Sequence, residues 1–295
     1  LNFSDESLEE LKQVVIEVLQ VTLTRSTGDD VVIDTFTIDE LDLVAADSFS
    51  FDLLDYRGRQ QLRVIDALEL ETGTYSGVVL SLAIDDINLS YVQESDDSLK
   101  PITTATSGIS LPGFTLSSEV EQYTIEFNLP RSLQYRTSTA DYRLVNEGIQ
   151  VIDTDDAASV SGRVDSGLFD TVAPCDSKSD PEAGNRLYVY SGRDISGTLA
   201  DVHTDASTAE VPEDAVAPLT VATLGQNSLT GSWEYVVGFL PAGDYTLAFS
   251  CDSAADDPVE YDGLTVPLPT EQVYEINLLA GEQSICDLEE GASCE

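Results

Sequence analysis

The sequence predicts an all-β protein: two antiparallel β-sandwich domains in tandem, with at most one or two short helices. Three observations predict it. Apolar residues alternate at period two in segment after segment, as in strands with one face on a core. Helical periodicity is scarce. The chain has 295 residues, 42% of them hydrophobic, enough for two domains that each bury a core.

Taken in order, residues 4–12 are the best helix candidate. Ser4 can cap, and Asp5 and Glu6 follow where the helix dipole favours acids. Residues 14–23 are nearly continuous apolar sequence and read as a central strand buried on both faces, and so do residues 78–84. Alternation places Phe49, Phe51 and Leu53 on one face of a strand, and Tyr123, Ile125, Phe127 and Leu129 on another. The same pattern selects Trp233, Tyr235 and Val237, then Tyr245, Leu247 and Phe249, then Tyr274, Ile276 and Leu278. Each of these strands is expected to have one face in solvent. A polar break at 153–158 divides the chain, giving domains 1–157 and 158–295. Charge does not mark the boundary: 30 acids and 9 bases precede residue 160, and 25 and 4 follow it. The acidic stretch 201–218 reads as a long surface loop of the second domain.

One pattern occurs twice. Leu70-Glu-Thr-Gly-Thr-Tyr75 and Leu240-Pro-Ala-Gly-Asp-Tyr245 each place a glycine turn before a tyrosine that opens a strand. Glycine supplies the backbone freedom of the turn, and tyrosine packs its ring while its hydroxyl reaches backbone. This is a structural corner.

Charge limits the partners. With 55 acids and 13 bases, the net charge is −42. A polyanion needs clustered Lys and Arg to bind it, and lysine occurs only at Lys12, Lys100 and Lys178. Nucleic acid and anionic lipid are therefore excluded as partners. Cations, cationic groups and water suit this surface, as does solubility in salt.

The four cysteines, Cys175, Cys251, Cys286 and Cys294, all lie in the second half. An even, localised set without C-x-x-C pairs indicates two disulfides and an oxidising compartment rather than zinc. Three connectivities are open, and Cys175–Cys251 with Cys286–Cys294 is the preferred one. The chain begins at Leu1, contains no methionine and has no apolar run long enough to span a membrane. It reads as an exported mature chain.

The first 160 residues resemble the bacterial domain-of-unknown-function family 4382. The resemblance lies in Asp29-Asp-Val-Val-Ile-Asp-Thr-Phe, Phe51-Asp-Leu-Leu-Asp-Tyr, Leu68-Glu-Leu-Glu-Thr-Gly-Thr-Tyr-Ser, Gly113-Phe-Thr-Leu and Tyr123-Thr-Ile-Glu-Phe-Asn-Leu. The second half resembles the C-terminal part of the same kind of gammaproteobacterial surface protein. There Gly238-Phe-Leu-Pro-Ala-Gly-Asp-Tyr-Thr-Leu is similar to the corner of prealbumin-like, carboxypeptidase-regulatory-like sandwiches. The resemblance implies export, often as a lipoprotein, and a β-sandwich fold. It implies no activity and supplies no catalytic residue. Some sandwiches of the second type form Lys–Asn cross-links, but Lys178 sits in a polar stretch, so none is expected here.

Little chemistry is visible. The single histidine, His203, lies in the polar run Ala200-Asp-Val-His-Thr-Asp, without the neighbours of a triad. No G-x-S-x-G elbow, phosphate loop or dinucleotide fingerprint occurs. Two carboxylates suffice for a glycosidase. Such clefts are rich in aromatics, however, and the one tryptophan, Trp233, is on a core face. Calcium takes six to eight oxygen ligands. Three acidic clusters are candidates: Asp85, Asp86 and Asn88; Asp153, Asp155 and Asp156; and Asp252, Asp256 and Asp257. None has the spaced D-x-D-x-D-G loop, and each also reads as an acidic turn in water. The sequence thus predicts a non-enzymatic extracellular or cell-surface protein without catalytic residues or a required cofactor. Its expected role is a subunit of an appendage or filament that associates with itself or with another surface protein. The alternative is a binding module for carbohydrate, calcium or a protein, and the second alternative is a carboxylate-only glycosidase.

Overall fold

β-Branched and aromatic residues at period two leave little choice but sheets, which bury alternate side chains against each other. The computed structural model describes residues 1–6, 11–84, 86–106, 108–118, 121–203, 211–257 and 259–294. Contacts between Cα atoms divide the chain into two units, Leu1–Asp155 and Asp156–Glu295.

In the first unit, one sheet has the order Ile149–Asp153, Tyr123–Asn128, Asn2–Glu6, Leu62–Arg63. The other has nine strands around Leu11–Arg25, whose fifteen residues pair antiparallel with Gly73–Leu82, Tyr91–Glu94, Val31–Ile33 and Phe49–Asp52. Gly108–Leu116 continues the sheet beyond Gly73–Leu82. An aromatic cluster fills the core. The Phe3 ring lies 6.0 Å from Phe49, 5.5 Å from Phe51 and 5.9 Å from Phe127.

The helix expected at residues 4–12 does not form. Asn2–Glu6 is a strand, parallel to Tyr123–Asn128 and antiparallel to Leu62–Arg63, and Leu11 and Lys12 already belong to the next strand. Residues 7–10 lie outside the described residues. A nine-residue helix is marginal in water. Two ladders of backbone hydrogen bonds and the burial of Phe3 outweigh the capping signal.

In the second unit two four-stranded sheets face each other. One runs Gly225–Gln226, Trp233–Leu240, Ala158–Val164, Gln283–Ile285, and the other Thr220–Thr223, Arg186–Ser191, Gly243–Ser250, Val273–Leu278. Val160, Leu187, Val189, Tyr235, Leu247, Phe249 and Ile276 are buried between them. Gly162 is required there: a Cβ would lie 1.9 Å from the Cys286 carbonyl oxygen, which accepts the Tyr235 hydroxyl at 2.7 Å. Cys175 is bonded to Cys251, and Cys286 to Cys294. Among the described residues most strand pairs are antiparallel, and four run parallel. The α-helical segments described are single turns, Leu129–Ser132 and Gly167–Asp170.

Two expectations of half-exposed strands are corrected. In Tyr123–Asn128 the polar residues Thr124, Glu126 and Asn128 are buried along with the apolar ones. In Gly243–Ser250 the second face is covered by a separate apolar cluster of Tyr188, Tyr190, Val202, Val221, Ala248 and Val266. The covering chain comes partly from the stretch expected to be a surface loop. Ala200, Asp201 and Val202 are buried, and Thr198–Leu199 pairs parallel with Ala215–Val216. Residues 204–210 lie outside the described residues.

Candidate functional site

Concave surface in the first unit gathers around the segment 63–70, which runs irregularly from Leu62–Arg63 toward Gly73–Leu82. The segment is anchored where the Leu1 carbonyl accepts the backbone amides of Val64 and Ile65, at 3.0 and 3.2 Å. At its crest Ala67 adopts φ +50°, a left-handed conformation that costs an alanine energy. Arg63 and residues 65–69 form a wall between two clefts, and Asn2 borders both.

The first cleft has a volume of about 600 Å³ and is polar. Thr35, Thr37, Asp39 and Glu40 face Asp66 and Glu69 across it. All six are exposed, and the nearest base is Arg63, 3.8 Å from Asp66. The second, of about 740 Å³, is more apolar, with Leu23, Leu70, Phe114, Leu116 and Tyr123 in its lining. Phe114 is packed between the rings of Tyr75, at 5.1 Å, and Tyr123, at 4.2 Å. Glu121 closes one end. Its Oε1 accepts the amides of Ser117 and Ser118 and the Ser117 hydroxyl, and its Oε2 lies 2.7 Å from the Tyr123 hydroxyl. The Ser117 and Tyr123 hydroxyls, followed by these amides, hold its pKa down at about 2, so the carboxylate is charged at all physiological pH.

The second unit holds its polar groups inside. His203 lies under the covering layer, with Nδ1 3.0 Å from the Asp201 carbonyl and its ring edge-on to Tyr261. Asp201 Oδ2 accepts the Leu264 amide at 2.8 Å. Asp256, whose side chain is fully buried, accepts the Tyr188 hydroxyl at 2.6 Å and lies 3.4 Å from Arg186. Burial raises both carboxyl pKa values, that of Asp256 to about 6. His203 and these acids brace the layer onto the sheet.

The acidic clusters behave as turns. Asp86 Oδ1 accepts the backbone and side-chain nitrogens of Asn88, and Asp153 Oδ1 accepts the Asp155 amide. Asp85 lies outside the described residues. The third cluster is split, since Asp252 and Asp257 are exposed while Asp256 points inward. Among the described residues no three or more His, Cys, Asp or Glu side chains are arranged to hold a metal ion. Trp233 packs edge-on to Phe169 at 5.6 Å. The Lys178 ammonium donates to the carbonyls of Pro181 and Ala183 and to Asn185 Oδ1. Its three protons are thus committed to stapling one loop. The repeated corner is one device used twice: the Tyr75 hydroxyl donates to the Glu71 carbonyl at 2.9 Å, and Tyr245 to Pro241 at 2.6 Å.

Sequence reasoning missed Asn2, Asp66 and Glu69. No motif marks them, because strand pairing and an irregular segment bring them together. It also missed the depth of Asp201, although the apolar Ala200 and Val202 beside it were a signal.

Fold and surface define a two-unit β-sandwich protein. Residues 1–145 match the family described as Domain of unknown function (DUF4382), and the first unit belongs to that family. No curated protein matches the chain. Among solved structures the chain is similar to a leucine-rich repeat protein from Bacteroides thetaiotaomicron, with 10% identity and a TM-score of 0.22 over 99% of this chain and 26% of that one. It is similar to a candidate cell adhesion protein from Bacteroides fragilis, with 7% identity and a TM-score of 0.23 over 97% and 85%. It is also similar to the pilus backbone protein RrgB of Streptococcus pneumoniae, with 9% identity and a TM-score of 0.22 over 98% and 91%. The chain spans about a quarter of the leucine-rich repeat protein's length. Among the described residues no helix is long and apolar enough to cross a membrane.

Proposed function

We infer that this chain is a non-catalytic structural subunit of an extracellular or cell-surface assembly. The observation that carries the reading is a short sheet edge in the second unit that no charge or proline blocks. Gln283–Ile285 ends its sheet, and none of its three residues is charged or proline. Ile285 is 69% exposed, and its neighbours in register are Ser161 and then Val236, itself 40% exposed. A sheet edge without charge or proline, with Ile285 exposed on it, is a template for another strand, which proteins otherwise guard against. The occupant on this reading is a second copy of the chain. The brace-like use of His203, the buried tyrosines and the buried acids supports the non-catalytic part.

A net charge of −42 opposes self-association. Screening must therefore accompany it, so assembly strengthens with salt, and calcium serves as a more effective counter-ion. The test is light scattering from low to high sodium chloride on the parent chain and on Ile285→Lys. The expected outcome is growth in size with salt that the variant loses. A monomer at every salt concentration contradicts the reading.

The binding-module alternative has its own observation, the paired clefts of the first unit.

A further inference from the structure

The buried acids of the second unit have a chemical property that bracing alone does not use. They belong to the layer over Gly243–Ser250, formed by residues 200–203, 252–257 and 259–266. Two tyrosines of Arg186–Ser191 reach into this layer. Tyr188 donates to Asp256 Oδ2, and Tyr190 donates to the Ala200 carbonyl, both at 2.6 Å. The side chains of Asp201 and Asp256 are fully buried. Each uses one oxygen to hold the layer together, Asp256 on Tyr188 and Asp201 on the Leu264 amide. Among the described residues the other oxygen of each, Oδ1, is buried without a hydrogen-bond partner, and so is the Ser253 hydroxyl. A carboxylate desolvated in this way is costly to keep charged, and a proton removes the charge.

The surrounding groups offset only part of that cost. Asp256 faces Arg186 at 3.4 Å, Tyr188 and Tyr190 from the same strand, and Asp201 and Asp262 within the layer. Asp201 faces Asp262, Tyr190, Tyr261 and His203, whose Nδ1 lies 3.9 Å from its Oδ1. Arg186 is thus the one permanent positive charge beside these acids. Burial raises the pKa of Tyr188 and Tyr190, so both phenols stay neutral. Burial also raises both carboxyl pKa values, that of Asp256 from 3.8 to about 6. The closed layer therefore holds protons that an opened, hydrated layer gives up. Closure has this support in acid and loses it as pH rises through about 6.

We propose that Asp201 and Asp256 form a proton latch: the layer is held closed while they carry protons and is released locally as they ionise. Release uncovers the apolar face of Tyr188, Tyr190, Val221 and Ala248. The core between the two sheets, with Val160, Tyr235 and Leu247, lies on the other side of the covered sheet and stays packed. This goes beyond the assembly reading and does not depend on it, because Gln283–Ile285 belongs to the facing sheet.

The test is hydrogen exchange of the full chain between pH 5 and 7.5 at constant salt, each rate divided by the intrinsic rate at that pH. The Ala200 and Ser253 amides, bonded to the Val216 and Gly184 carbonyls, report the layer. Amides of Trp233–Leu240, in the facing sheet, report the core. Relative to the core, the layer should exchange about fivefold faster or more at the higher pH. Asp201→Asn with Asp256→Asn should flatten this ratio, Asp256→Asn alone should remove part of the response, and His203→Gln should keep it. Should the double variant fail to fold, the parent's ratio and the two single variants decide. The proposal is overturned if the parent's ratio does not change with pH or falls as pH rises. It is also overturned if the double variant or Asp256→Asn keeps the full response, or if His203→Gln loses it.

Discussion

Replacing Asp256 by asparagine should make the protein's stability respond differently to pH. The Asp256 side chain is fully buried beneath the layer that covers Gly243–Ser250. Burial raises its pKa from 3.8 to about 6, and Asp201 and Asp262 add to the rise. The hydrogen bond from Tyr188 and the charge of Arg186 pull the other way without cancelling it. His203 and Tyr190 belong to the same layer and sheet face, and Tyr261 packs on His203. The folded pKa lies above the unfolded one, so the folded state holds a proton that the unfolded state has lost. The resulting stabilisation is fully present below pH 4 and disappears as pH rises through 6. Its ceiling is about 3 kcal/mol, from two pKa units and a fraction at 1.36 kcal/mol each. Between pH 7.5 and 5 the part gained is about 1 kcal/mol. A carboxamide at this position cannot titrate, so Asp256→Asn loses this gain. The many other carboxylates cancel when parent and variant are compared at each pH. Urea unfolding followed by hydrogen exchange of amides in the covering layer, such as Leu264, measures the difference. The variant should improve relative to the parent by about 1 kcal/mol on going from pH 5 to 7.5. Any constant cost of a weaker Tyr188 bond drops out. A pH-independent difference, or one of opposite sign, would refute the reasoning.

Three further outcomes follow from the fold. Breaking Cys175–Cys251 by serine substitution opens a loop of 76 residues and should cost about 4 kcal/mol, against about 2 for Cys286–Cys294 with a separation of 8; urea midpoints compare them. Tyr75→Phe and Tyr245→Phe each delete one hydroxyl-to-carbonyl bond at a corner, and each should cost about 1 kcal/mol in the same assay. Gly162→Ala places a methyl group into the Cys286 carbonyl and should cost about 3 kcal/mol or more, or prevent folding, as circular dichroism would show.

Period-two alternation was legible because each strand carries its own record of which residues face the core. Phe49 with Phe51, and Tyr245 with Leu247 and Phe249, are buried as that pattern requires. The corners were legible for the same reason, since Tyr75 and Tyr245 reach backbone only four residues away. What failed was non-local. Nothing within residues 4–12 reveals that Tyr123–Asn128 lies ready to pair with them. Nothing around Asp244 reveals that a chain segment some forty residues earlier covers the strand's second face, so Asp201 read as solvated acid. Asp256 fell into an acidic cluster by sequence, while its partners, Tyr188 and Arg186, sit about seventy residues away on another strand. The clefts were invisible for the same reason: Asn2, Asp39 and Asp66 meet only after three segments fold together.

The central claim is that the chain associates with itself through the open edge at Gln283–Ile285. The most direct measurement is negative-stain imaging with light scattering of the whole chain at high concentration, in sodium chloride with and without calcium, beside Ile285→Lys. Ordered polymers in the parent and monomers in the variant are the predicted result. Monomers in both, under every condition, would contradict it.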